Sequence, residues 1–221
     1  MALPFSGSNF VLLGEAGCGK SEIAINLALA LLEQEKPVDL FDLDMTKPLF
    51  RTREQAEKLT QRGLRVHFEE QFADAPTAAG GVMRQLKDTE SCTVLDVGGD
   101  YIGARSIGGY APLLNREDTA ILYVINPFRP WSTTVDRAGL VLSEVLGVSH
   151  IRPERIRFVG NPNFGGATTV EDVLLGYERL TEMVETLDCL CVEQRLCAAV
   201  QERVPVKLFP IQRYLEYPWN S

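Results

Sequence analysis

Eight residues near the start of the chain, Gly14-Glu15-Ala16-Gly17-Cys18-Gly19-Lys20-Ser21, have the types and spacing to hold a polyphosphate. Glycines let the backbone take tight angles, so that successive N–H groups turn inward toward phosphate oxygens. The order is G-x-x-x-x-G-K-[ST], and it lies between the apolar run Phe10–Leu13 and a helical stretch, the setting this chemistry requires. A helix that opens near Gly19 adds the positive end of its dipole and its unsatisfied N–H donors. Lys20 is then expected to reach the β- and γ-phosphates, and the Ser21 hydroxyl to take one position on Mg²⁺. The expected binding set runs through Gly14, Glu15, Ala16, Gly17, Cys18, Gly19, Lys20, Ser21 and Glu22.

Two acidic segments supply a metal side. Val38-Asp39-Leu40-Phe41-Asp42-Leu43-Asp44 ends one apolar run, and Cys92-Thr93-Val94-Leu95-Asp96-Val97-Gly98-Gly99-Asp100 ends another. The second resembles a Walker B element, in which Asp96 holds Mg²⁺ through water and the glycines let the backbone approach the γ-phosphate. Asp44 is a candidate to orient the attacking water or to hold a metal-bound one. Either Asp42 or Asp44 could instead only cap the turn that follows, and Asp96 could be a polar strand terminator.

These segments need elements to position them. Apolar, β-rich runs recur at 10–13, 38–43, 64–68, 93–97, 120–125, 155–159 and 206–209, mostly continuous rather than alternating, as parallel strands covered on both faces require. The run at 64–68 reads as a short edge strand. Helical spacing marks 20–34, 52–62, 82–89, 132–146 and 169–187. The alternation predicts an α/β three-layer sandwich with a mostly parallel central sheet, in one domain over residues 1–221. Glycine-rich breaks follow the strands at 14–19, 98–99 and 160, and ligands of such sheets bind beyond the strand carboxyl ends.

Composition narrows the class. The 221 residues are 45% hydrophobic and 24% charged, with a net charge of −8. That sign gives no support to a phosphate-backbone partner, so no nucleic acid is expected. No run reaches the ~20 apolar residues of a membrane span. The amino terminus lacks a cationic, apolar leader, and the five cysteines form no regular framework. A reduced, cytoplasmic chain is the expectation.

Taken in order, these segments resemble the MinD/ParA family of P-loop ATPases, of the SIMIBI class, together with the nitrogenase iron protein and the nickel-insertion ATPase of carbon monoxide dehydrogenase. Asp42-Leu43-Asp44-Met45-Thr46-Lys47-Pro48 is similar to the family's first switch. Asp96-Val97-Gly98-Gly99-Asp100 is similar to its second, and to that of the iron protein in particular. Tyr123-Val124-Ile125-Asn126-Pro127 resembles a later strand ending in Asn-Pro. Phe158-Val159-Gly160-Asn161 is similar to the strand whose terminal Asn meets adenine, and Leu208-Phe209-Pro210 to the segment flanking the base. The resemblance implies bound Mg²⁺ and ATP, hydrolysis to ADP, a nucleotide-dependent homodimer and a protein client. One residue departs: the family's Lys directly after the first Gly, which reaches the partner subunit's nucleotide, is here Glu15. A carboxylate cannot stabilise charge developing between phosphates. Either turnover is slow, or a cation such as Lys47 or Arg105 substitutes, unless both are plain surface charges.

Asn161-Pro162-Asn163-Phe164 lacks the Asn-Lys-x-Asp segment with which P-loop GTPases read guanine, whereas an Asn amide can meet adenine's donor and acceptor. ATP is expected over GTP; Asn161 is also a natural turn residue before Pro. Cys189, Cys191 and Cys197 read either as buried thiols or as soft-metal ligands. Arg129-Pro130-Trp131 could touch nucleotide or a partner. The aromatic tail from Ile211 carries a single cation, Arg213, and a proline, so it is expected to pack on the domain or on a partner rather than on lipid. Three uses stay open: an ATPase servicing a client such as a metalloenzyme maturation or electron-transfer system, a non-hydrolysing interaction module, and an ATP-dependent enzyme like dethiobiotin synthetase.

Overall fold

The computed structural model describes residues 3–44, 52–68, 81–132 and 134–215. Eight parallel strands form one sheet in the order β3-β2-β4-β1-β5-β6-β7-β8. The strands are β1 (Asn9–Leu13), β2 (Val38–Leu43), β3 (Arg65–Phe68), β4 (Cys92–Val97), β5 (Thr119–Ile125), β6 (Ile156–Gly160), β7 (Cys189–Glu193) and β8 (Leu208–Ile211). The helices are α1 (Lys20–Leu32), α2 (Thr52–Gln61), α3 (Val82–Gln85), α4 (Tyr101–Ser106), α5 (Ala111–Leu114), α6 (Val135–Ser149), α7 (Val170–Met183) and α8 (Cys197–Gln201). The expected α/β class and parallel sheet are found, with β3 as the short edge strand.

Strand alternation divides the core in two. Phe10, Leu12, Leu40, Val94, Leu122, Cys189 and Cys191 face α1, while Val11, Leu13, Phe41, Leu95, Tyr123, Leu190 and Val192 face the opposite layer. α1 is buried nearly all round, which explains why its sequence is apolar on every side. Its outer side is strapped by the segment after β8. Asn26 Nδ2 donates to the Gln212 carbonyl and Gln212 N–H donates to Asn26 Oδ1, each at 2.8 Å. The Glu22 carboxylate accepts from the backbone N–H groups of Tyr214 and Leu215. Residues 211–215 therefore pack on the protein, as their composition suggested, and Leu215 is buried.

The helix expected over 169–187 ends early, and β7 stands where the sequence left a thiol cluster open. The helix α7 starts from a capping box, Thr169 with Asp172, and stops at Met183. Cys189 and Cys191 then sit on one face of a fully buried strand, whereas Cys197 opens α8 in the opposite layer. The three thiols do not converge, so the soft-metal alternative is withdrawn. Among the described residues no three His, Cys, Asp or Glu side chains could hold a metal ion. β8 tolerates Pro210 because it is the sheet edge, where a missing N–H breaks no ladder on the outer side. Among the described residues no helix is long and apolar enough to cross a membrane.

Candidate functional site: a phosphate loop at the switch point of the sheet

The order in which strands are added reverses about β1: β2 to β4 lie to one side of it and β5 to β8 to the other. Ligands of open α/β sheets bind beyond the strand ends at that point, and the loop Gly14–Ser21 leaves β1 there. Its glycines are there for geometry. Gly14 has φ 132° and a Cβ would lie 2.3 Å from the Val124 carbonyl oxygen, while Gly17 and Gly19 have φ of 78° and 99°. A Cβ on Gly19 would also strike Asn161 Nδ2 at 2.1 Å.

Lys20 is buried, and its ammonium donates to the Gly14 and Glu15 carbonyls at 2.9 Å each. The Ser21 hydroxyl bonds to Asp96, whose Oδ1 has no hydrogen-bond partner among the described residues. Asp96 is opposite Asp42 in the β2–β4 register, so both carboxylates emerge on the α1 side, below the start of that helix. Asp42 Oδ1 also accepts the Asp44 N–H at 3.1 Å. Asp42 thus both caps the turn and faces Asp96, a role its sequence position alone left open. Burial, then the Asp42 charge, push the Asp96 carboxyl up to about 7.

The glycines after Asp96 approach the loop itself. A Cβ on Gly99 would lie 2.5 Å from Ala16 N, and one on Gly103 would lie 2.5 Å from the Gly98 carbonyl oxygen. Asp100 then caps α4 by accepting from Gly103 N–H at 2.7 Å. On the far side, Asn161 Nδ2 donates to the Cys18 carbonyl at 2.7 Å, and Asn161 Oδ1 accepts from Asn163 Nδ2. Asn126, at the end of β5, donates to the Asn163 carbonyl at 3.0 Å. The Asn-Pro and Gly-Asn strand ends are thereby tied to each other and to the phosphate loop.

Glu15 is 5% exposed, and its Oε2 has no hydrogen-bond partner among the described residues. Burial pushes its carboxyl up to about 7, opposed by the charges of Lys20 and Arg129. Arg129 is the cation that the structure brings to the loop. A Cβ on Gly17 would lie 4.0 Å from its Nε, and only the strand-end position of Arg129-Pro130-Trp131 hinted at it. Lys47 lies outside the described residues, and Arg105 is in the last turn of α4. The Glu22 carboxylate is spent on the tail, and burial raises it to about 7 as well.

The chain matches the CobQ/CobB/MinD/ParA nucleotide binding domain over residues 10–206. It belongs to that family. Solved structures are similar to the chain at low identity. The signal recognition particle 54 kDa protein from Aeropyrum pernix K1, in complex with GDP, matches 81% of this chain with a TM-score of 0.51 and 17% identity. Chloroplast FtsY from Physcomitrella patens matches 80% with a TM-score of 0.49 and 16% identity, and FlhF complexed with GTP and Mg²⁺ matches 83% with 0.48 and 12%. The chain spans 41%, 56% and 64% of those structures respectively. No curated protein is similar in sequence. As a member of the CobQ/CobB/MinD/ParA family the chain is a P-loop nucleotide-binding protein.

Three carboxyls raised toward 7 have a consequence for stability. Between the ordinary carboxylate range and pH 7 the folded chain keeps protons at Glu15, Glu22 and Asp96 that the unfolded chain has released. Stability therefore falls as pH rises through that window and the contribution is gone above it. In metal- and nucleotide-free buffer, the melting temperature at pH 8 is expected on the order of 10 °C below that at pH 5. Differential scanning calorimetry across the range checks this, and a melting temperature that climbs with pH contradicts it.

Proposed function

We propose that the chain binds Mg²⁺ and ATP in the Gly14–Ser21 loop and hydrolyses the γ-phosphate slowly, as a nucleotide switch for a protein client. The observation that carries this reading is the meeting, at the end of β1, of Lys20, Ser21 and an Asp96 oxygen that has no hydrogen-bond partner among the described residues. The donor set fits Mg²⁺, a hard cation that takes oxygen ligands and needs only one or two from protein beside those of phosphate. Ser21 and Asp96 would hold it, with Asp44 on the water side. When bound, the ion neutralises charge on the β- and γ-oxygens.

The chain's own groups do the rest. Lys20 exchanges its carbonyl partners for phosphate oxygens, and the loop N–H groups fix the leaving side. Asp44 orients the attacking water, and catalysis is positioning and charge stabilisation. Asn161 and Pro210 flank adenine, with the Asn163 bond to Asn161 given up to the base. Isothermal titration calorimetry tests the proposal: Mg·ATP is expected to bind and GTP to bind at least tenfold more weakly. No heat with any nucleoside triphosphate removes it.

Glu15 favours a second reading, a module that binds ATP without useful turnover, because the charge at that position has the wrong sign for the transition state. Turnover separates the two: phosphate release no faster than in Lys20→Ala leaves only the binding module. Glu15→Lys is expected to restore an ATP-dependent dimer and to raise turnover about tenfold or more, in line with the cost of one missing electrostatic contact. Light scattering that shows a monomer with and without ATP rejects the cross-subunit geometry.

A further inference from the structure

On the side of the phosphate loop away from Asn161, a half-open cavity of about 580 Å³ lies between α4 and α6. Its foot is Glu15, Ala16 and Gly99, and its walls include Tyr101, Leu140 and Val141. Glu15 supplies the feature that asks for a ligand: it is 5% exposed and lines the cavity, with one carboxyl oxygen that meets no hydrogen-bond partner among the described residues. Buried charge of this kind is costly until a partner is provided.

We propose that this groove docks a partner polypeptide through an Arg or Lys flanked by apolar side chains, the cation seating on the Glu15 carboxylate at the edge of the phosphate loop. The charge of the lining selects for that chemistry. Asp100 and Glu144 line the groove beside Glu15, against one cation, Arg137, whose guanidinium already donates to the Pro130 carbonyl at 3.3 Å. Lys20 and Arg129 lower the Glu15 carboxyl from a distance, but burial outweighs them and raises it to about 7. A guanidinium can give a carboxylate two parallel N–H bonds, the strongest such pairing available.

The apolar surround argues for a polypeptide rather than a small amine. Tyr101 and Leu140 are 49% and 67% exposed, and Ile102 and Val135 on the same two helices are also exposed. Of the seven large hydrophobic side chains exposed among the described residues, these are four. Scattered single residues would need no explanation, but Tyr101 and Leu140 line the groove together, and apolar side chains gathered at a cavity mark an interaction surface. An anionic lipid headgroup has the wrong sign for this lining, and a second copy of a chain with net charge −8 meets general repulsion.

A coupling follows, and this part rests on the proposed nucleotide site. A cation on Glu15 removes its repulsion of a triphosphate in the adjacent loop. By linkage, partner and Mg·ATP then raise each other's affinity by the same factor.

Selection of a random 12-mer peptide display library on the immobilised full chain, without nucleotide, tests the docking. Leu140→Asp serves for counter-selection, since an exposed side chain there leaves folding intact and calorimetric melting verifies it. Enriched peptides are expected to carry Arg or Lys between apolar residues and to lose tenfold or more in affinity for Glu15→Gln. Saturating Mg·ATP is expected to tighten them severalfold on the wild type. Failure to enrich any peptide, enrichment without basic residues, or affinity indifferent to Glu15→Gln each overturns the groove. Peptides that behave as expected on a chain that binds no ATP sink the nucleotide reading and leave the groove standing. ATP binding that does not move peptide affinity overturns the coupling.

Discussion

Replacing Lys20 by alanine is expected to erase the thermal stabilisation that Mg·ATP gives the wild-type chain. A ligand at 100 times its Kd stabilises the native state by about 2.7 kcal/mol. For a chain of this size each kcal/mol is worth roughly 2–4 °C, so the wild-type shift is about 5–10 °C. The ammonium is the only loop side chain that can carry positive charge to the phosphates, since Glu15 has the opposite sign and Ser21 is neutral. Lys20 also ties the loop to itself through the Gly14 and Glu15 carbonyls. Its loss therefore costs the nucleotide-free protein on the order of 1–3 kcal/mol from charge-assisted bonds. The decisive measurement is the difference between melting temperatures with and without Mg·ATP for each protein. An unchanged difference in Lys20→Ala moves the nucleotide elsewhere.

What the sequence disclosed follows the strength of its local signals. The tight turn at Gly14–Ser21 between β1 and α1 was legible because glycine spacing, Lys-Ser and the flanking elements all encode one backbone shape. Continuous apolar runs disclosed seven parallel strands, with ends shifted by one or two residues. β7 was hidden because Cys189-Leu190-Cys191-Val192 follows a helical stretch directly, and two thiols suggested ligands rather than core. α4, α5 and α8 were hidden for another reason: each is six residues or fewer, too short for an apolar period to repeat. The strand-end aspartates stood out in the sequence, but that Asp42 faces Asp96 is a matter of register between strands distant in sequence. Arg129 was the least legible part of the site. Its approach to Gly17 and Glu15 depends on the β5 loop folding back over β1, and no local pattern records that. Glu22 shows the converse. Adjacency to Lys20-Ser21 suggested the nucleotide, while the fold turns its carboxylate to the tail.

Gly99→Ala is expected to weaken nucleotide binding by tenfold or more, although Gly99 need not touch the nucleotide. No unusual φ is required at this position, so the effect is one of space. The new methyl carbon would stand 2.5 Å from Ala16 N, 2.6 Å from Ala16 Cα and 2.8 Å from the Glu15 carbonyl carbon. All three are backbone atoms, which cannot swing aside as a side chain would. Retreat of residue 99 is itself resisted, because Gly98 is held against Gly103 and a Cβ on Gly103 would come within 2.5 Å of the Gly98 carbonyl oxygen. Strain therefore passes to Ala16, inside the ring of loop amides. Overpacking of this kind costs typically 1–3 kcal/mol, and a tenfold loss of affinity needs only about 1.4 kcal/mol of it at the bound state. Gly109→Ala is the matched control, since nothing lies within 4 Å of its added Cβ. Calorimetric titration of both variants with Mg·ATP distinguishes the cases: equal affinities would mean that the second acidic loop and the phosphate loop move independently, and a selective loss in Gly99→Ala would show that the loop carrying Asp96 senses the nucleotide through direct backbone contact.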